Sequence, residues 1–192
     1  MKLNLPFYSQ YSELVESEWQ VRSCAILCLK IVMEFMGVEN VSISELIKEG
    51  IAISQDLTKK GKQQSGYTND FGWGHDLLVM LFRNKGIISY RQEFRSLDEK
   101  NATEFINFGI NKIAKSIQAG FPVLASVFKD VNNPRISGHM VVISGIEEDD
   151  GGIRGFSISD PEEKNEAEGK NKLVDIRIFK KVWKKLAIFV EK

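Results

Sequence analysis

The chain changes hydrophobic period part way along, and that change predicts most of its architecture. From Cys24 to Met36, Ile26, Leu27, Leu29, Ile31, Val32, Met33, Phe35 and Met36 cover nearly the whole circumference of a helix, broken by Lys30 and Glu34. Such a helix belongs inside the molecule, and Gly37 supplies a left-handed stop. A second, short helix is predicted from the capping-box pattern Ser42-x-x-Glu45 up to Gly50. A third spans about His75 to Asn84 and closes at Gly86, and a fourth runs from about Thr103 to Ala119, with Ile106, Ile110, Ile113 and Ile117 on one face before Gly120 and Pro122.

Beyond Pro122 the pattern shortens to that of strands. "PVLASVF", "HMVVISGIEE", "GIRGFSIS", "NKLVDIRI" and "LAIFVE" read as five strands, with Asp149-Asp150-Gly151-Gly152 as the turn of a hairpin between the second and third. "FKKVW" reads as a short helical turn before the last strand, and the charged run from Glu162 to Lys170 as a solvated loop. Helices followed by antiparallel strands predict an α+β fold. The expected organisation is one domain over residues 1–192, helical to about residue 120 and β from about 121 onward. Thr58 to Gly74 is polar, glycine-rich and carries Tyr67, Phe71 and Trp73, the composition of a long surface loop.

Composition narrows the functional classes. The 192 residues are 43% hydrophobic and 27% charged, enough for a globular core. Twenty-six basic and 26 acidic residues cancel, so no overall field favours nucleic acid or an anionic membrane. No stretch approaches the roughly 18 apolar residues of a membrane span, and "MKLNLPFYSQ" lacks the apolar run of a signal peptide. The chain reads as soluble and cytoplasmic, unless an export signal has been trimmed away.

The candidate chemistry lies in two cysteines and two histidines. Cys24 and Cys28 share one helix face, their backbones about 6 Å apart but their side chains parallel, so a disulfide would need distortion. A zinc site from Cys24, Cys28, His75 and His139 fits no zinc-finger spacing, and neither metal nor other cofactor is expected. Cys24 stands at a helix N-terminus, where unpaired N–H groups favour a thiolate, whereas Cys28 is a full turn further in. Position alone leaves Cys24 either a nucleophile or a core residue.

His139, in "SGHMVVISG", starts an apolar strand, which would hold its ring rigidly at the mouth of the fold; it could equally end a strand bonded to a carbonyl. His75, in "FGWGHD", reads as a capping or surface residue. Asp160 ends the neighbouring hairpin strand in "SISDP", at nearly the same distance from the turn as His139, so the two can come close. A carboxylate there would fix the imidazole as the third member of a triad does, although Asp-Pro is also an ordinary strand-ending turn.

The order Cys, His, Asp brings a family into view. The chain resembles the soluble branch of the bacteriocin-processing, double-glycine-type peptidases, which have a papain-like fold. The likeness runs through "LPFYSQ", a cysteine heading a helix that ends in glycine, a Gly-Trp loop before a helix, "AGFPVLASV", "GHMVVISG", "DP", and a late Phe179 and Trp183. It implies Cys24 as nucleophile, His139 as general base, Asp160 as the orienting residue, and Gln10 as oxyanion donor beside the Cys24 N–H. Gln10 requires an inserted segment at "YSELVESEW"; Gln20 is the alternative, close before the cysteine.

The implied substrate is an extended peptide or amide, with hydrolysis or acyl transfer to an amine as outcomes. Tyr67, Phe71 and Trp73 are candidates for part of the substrate cleft, or for an aromatic lid over the core. The family commonly follows its cysteine with Gly-Pro, whereas here Ala25-Ile26 follows. That departure keeps open a catalytically silent domain that binds peptides or a protein partner. Relatives fused to export transporters cleave leaders after paired glycines, but this chain carries no Gly-x-x-x-x-Gly-Lys-Ser/Thr phosphate loop.

Overall fold

The computed structural model describes residues 1–14, 17–62, 65–70, 72–96, 98–129 and 138–191. Two single-turn helices, α1 (Gln10–Glu13) and α2 (Ser17–Gln20), precede the central helix α3 (Cys24–Phe35). Every residue of α3 from Ala25 to Leu29 and from Ile31 to Met33 is buried, as its all-round apolar sequence requires. Lys30 and Glu34, the two exceptions, pair with each other one turn apart, and Tyr8 donates to the Glu34 carboxylate at 2.5 Å. The helix closes at Gly37 (φ +93°), where Val38 N–H reaches Met33 O at 3.0 Å. That is the glycine-terminated closure expected from the sequence.

Helix α4 differs from expectation. Its N-terminus is capped as predicted, Ser42 Oγ accepting from Glu45 N–H at 3.3 Å, but it continues through Gly50 to span Ile43–Lys59. The reason for the glycine lies in another segment: a Cβ at position 50 would sit 2.6 Å from Trp73 Cζ3. Gly50 is a contact for an indole and not a stop. Next come a minimal hairpin, β1 (Tyr67–Thr68) and β2 (Gly72–Trp73), and α5 (His75–Asn84), which ends near Gly86 as anticipated.

A strand that the sequence reading did not include, β3 (Ile88–Glu93), follows α5 inside the nominally helical part. Successive strand residues face opposite sides. Ser89 Oγ donates to Val79 O and Arg91 reaches Asp76, both on α5, while Tyr90 on the other side stacks on Phe189 and meets Lys112. Lys112 belongs to α6 (Ala102–Gln118). Helices α5 and α6 therefore cover opposite faces.

The remaining strands are β4 (Val123–Phe128), β5 (Gly138–Asp149), β6 (Gly152–Ser159), β7 (Lys172–Asp175) and β8 (Trp183–Glu191), with α7 (Glu166–Gly169) and α8 (Ile176–Val182) between them. All pair antiparallel in one sheet ordered β3-β8-β4-β5-β6-β7. The predicted strand "NKLVDIRI" is thus a four-residue strand followed by a helix, because the Asp175 carboxylate accepts from Arg177 N–H at 2.8 Å and starts α8 there. Helix α8 delivers Phe179, which stacks on Trp183 and meets Phe156 edge-on, all three fully buried.

Candidate active site

Cys24 is the first residue of α3 and is half-buried, with Ala25 and Ile26 turned into the core behind it. Ile26 has no exposed surface, so its branched side chain fills the interior and does not narrow the surface around the thiol. The backbone leading into Cys24 is held from outside. Trp73 Nε1–H donates to Arg22 O at 2.8 Å, and the Arg22 guanidinium donates to Asn69 Oδ1 at 2.9 Å and to the Tyr67 hydroxyl at 3.3 Å. Trp19, Tyr67 and Trp73 pack as a three-ring cluster with centroids 4.6–5.9 Å apart. Trp73 is buried and Tyr67 half-buried, so these two rings brace the segment before the cysteine; Phe71 lies outside the described residues.

His139 is the second residue of β5, opposite Val127 of β4, and is only 6% exposed. Its position relative to Asp160 follows from hairpin register. Two irregularities in the β5–β6 ladder, between Ile143 and Gly145 and between Glu147 and Glu148, cancel, so Val142 again faces Ser159. Asp160, one step further, is then a diagonal neighbour of His139. His139 Nε2–H donates to Asp160 Oδ1 at 2.6 Å. The same oxygen accepts from Glu162 N–H at 2.9 Å, and Asp160 N–H donates to Gly169 O at 2.8 Å.

The electrostatics run in one direction. Burial by itself raises the Cys24 thiol pKa, but its interaction with His139, the imidazole charge, the Met140 N–H and the Lys129 charge together bring it below the ordinary thiol value. For His139, burial works against the charged form, and the Asp160 carboxylate and the Cys24 sulfur outweigh it, holding the ring well above its usual pKa. Asp160 is pushed up by burial and brought down by His139, with the net effect downward. These shifts favour the charged forms of the imidazole and of the Cys24 thiol, with a carboxylate behind the ring. His139 Nδ1 is buried and makes no fully formed hydrogen bond. It is the ring nitrogen that Asp160 does not take. Cys28 is different: it is buried, donates to Met140 O at 3.3 Å, and burial pushes its thiol well up. It is an inert core thiol.

The two glutamines separate. Gln10 begins α1, capped by Ser9, is 1% exposed, and its N–H donates to Pro161 O at 2.8 Å, next to Asp160. The inserted segment that its distance from Cys24 demanded contains α1 and α2. Gln20 Nε2–H donates instead to Leu14 O at 2.7 Å. Its amide is already engaged.

Two charged residues around the site had no signal in the sequence pattern. Glu162, expected in a solvated loop, has Oε2 4.0 Å from His139 Nε2, and its other oxygen pairs with Lys129. Only the fold brings them there. A groove of about 670 Å³ lies elsewhere, between Leu14, Trp19 and the Ile47–Ile51 face of α4.

Comparison with known proteins adds the following. The model described as the Peptidase_C39 like family matches residues 2–187. No curated protein matches the chain. Among solved structures, a C39-like peptidase from Bacillus anthracis is similar at TM-score 0.64 and 17% identity, over 100% of this chain and 98% of the other. The peptidase domain of Streptococcus ComA, a bi-functional ABC transporter of a quorum-sensing pathway, is similar at 0.57 and 19%, over 88% and 91%. A double glycine motif protease from an AMS/PCAT transporter, solved with its leader peptide, is similar at 0.53 and 13%, over 100% and 94%. The shared architecture is α+β and papain-like, with the buried helix packed against an antiparallel sheet.

Proposed function

The chain belongs to the Peptidase_C39-like family of papain-like cysteine peptidases, and from that premise we propose that it hydrolyses a peptide bond with Cys24 as nucleophile, His139 as general base and acid, and Asp160 as the group that orients the imidazole. The observation carrying the proposal is the 2.6 Å bond between His139 Nε2 and Asp160 Oδ1 in a pocket where the imidazole also lowers the Cys24 thiol pKa. The thiolate attacks the substrate carbonyl carbon, and the oxyanion that forms is received by the Cys24 N–H and the Gln10 side-chain amide. His139 gives its proton to the leaving amine, and water, deprotonated by the same ring, releases the acid from the acyl-enzyme. An amine in place of that water would give acyl transfer by the same steps.

The substrate proposed is an extended peptide, a reading supported by the leader peptide held by the related transporter protease. Gln10 is preferred to Gln20 because it is buried and bonded to Pro161 O next to Asp160, whereas one Gln20 side-chain N–H is directed to Leu14 O. A silent, peptide-binding role is the competing reading suggested by Ala25-Ile26. The buried position of Ile26 weighs against it, since that side chain leaves the thiol uncovered. The test is digestion of a mixed peptide library, read by mass spectrometry. Cleavage by the wild type and none by Cys24→Ala is expected. Undiminished cleavage by Cys24→Ala would reject the thiol mechanism, and peptide retention without cleavage by the wild type would support the silent reading.

A further inference from the structure

We propose that Lys129 and Glu162 form a charge pair that tunes the active site through His139, the Glu162 carboxylate supporting the imidazolium and Lys129 limiting that support. The inference rests on reading Cys24 as the nucleophile. Glu162 is joined to the site at three points. Its backbone N–H donates to Asp160 Oδ1 at 2.9 Å, the oxygen that also receives His139. Its carboxylate Oε2 lies 4.0 Å from His139 Nε2, and Oε1 is bonded by Lys129 Nζ. Lys129 stands one residue beyond β4, and the bond to Glu162 links that end of β4 to the turn after β6.

Both side chains are about one-third exposed. Such a pair adds little to folding stability because water competes for both ions, so its consequence is to be sought in the groups it touches. A carboxylate 4 Å from the imidazole favours the imidazolium, and an ammonium bonded to that carboxylate weakens the effect. Paired, the two charges nearly cancel at longer range, and the site is balanced between them. The other charges around the imidazole are fixed by other partners. Asp160 is bonded directly, Lys172 behind it is held by Glu163 at 3.1 Å, and Lys184, beside Gly138, lies over the Phe128 ring at 5.2 Å. Cys28, on the helix side, is a neutral thiol. Lys129 and Glu162 are thus positioning residues, acting through His139.

The sign pattern of a double-mutant cycle distinguishes a tuning pair from a mechanical clasp. The readout is the pH midpoint of iodoacetamide labelling of Cys24 in the full chain, with thermal unfolding recorded alongside. Glu162→Gln removes the carboxylate 4.0 Å from the imidazole and leaves Lys129 unpaired, so the imidazolium loses support and the midpoint is expected to rise by roughly half a pH unit. Lys129→Met leaves the Glu162 carboxylate uncompensated beside the imidazole, and the midpoint is expected to fall by about as much. Lys129→Arg keeps the wild-type midpoint, and the double variant Lys129→Met/Glu162→Gln returns close to it, although the bridge is absent there. Shifts of one sign in all three bridge-breaking variants, or no shifts against a depressed wild-type midpoint, would overturn the pair's role while leaving Cys24 as nucleophile. An ordinary midpoint in the wild type would overturn both readings together.

Discussion

A thiol taken partly out of water holds its proton more tightly unless a nearby group favours the anion, and at Cys24 the first group to do so is His139. The imidazole can do so only because Asp160 makes its cationic form stable in a site that is otherwise unfavourable to charge. Asp160→Asn removes that support while keeping the shape of the side chain. It is expected to raise the pH at which Cys24 ionises and to slow peptide cleavage by roughly 10²- to 10⁴-fold. The check is the labelling midpoint and the cleavage rate measured on the same preparation; an unchanged midpoint would separate Asp160 from the ion pair.

His75 illustrates the opposite environment. Burial, then the charges of Arg91 and Lys184, bring its pKa down to about 4 at the first turn of α5. The folded protein therefore holds His75 neutral where the unfolded chain, with a pKa near 6.5, takes up a proton. Its contribution to stability is fully present above pH about 6.5 and is lost as the pH falls towards 4, by up to about 2 kcal/mol at pH 4.5. Urea unfolding at pH 7 and 4.5 should show that loss in the wild type and a smaller one in His75→Asn. Equal losses in both would contradict the assignment.

Among the elements, those legible in the sequence were those whose own composition decides them. Helix α3 is apolar on every side and ends at a glycine, and α5, α6 and the strands β4, β5 and β6 carry the expected periods near the expected limits. Elements decided by a distant contact were not legible. Gly50 has the look of a stop in the sequence, but Trp73 packs on it, and β3, an edge strand with Ser89, Arg91 and Glu93 on the face towards α5, carries little of the apolar alternation that marks a strand. Asp175 turns a strand-like sequence into a helix by capping it. The closeness of His139 and Asp160 was readable from hairpin counting, and Cys24 joined them through the family resemblance, whereas Lys129 and Glu162 meet only through tertiary structure.

The Gly50 contact yields a prediction at the same scale. Gly50→Ala places a methyl 2.6 Å from the indole of Trp73, which must shift, and about 1–3 kcal/mol of stability should be lost in urea unfolding. Because Trp73 also holds Arg22 O, two residues from Cys24, labelling of that thiol should slow in the folded variant. Loss of stability with unaltered labelling would show that the aromatic brace supports the core alone.

At the scale of the whole molecule, the fold's task is to bring the start of one helix against the open end of a sheet. Helix α3 supplies Cys24, β5 supplies His139, and the turn after β6 supplies Asp160 and, through Pro161 O, anchors Gln10 from near the N-terminus. Sequence-distant segments converge on one site, and the helix–sheet packing holds them there. The most direct measurement is the pH dependence of iodoacetamide labelling at Cys24, read by peptide mass, in the wild type and in His139→Ala. The account predicts fast labelling well below the free-thiol pKa of about 8.5 in the wild type, lost in the variant. Slow labelling at neutral pH in both proteins would contradict it.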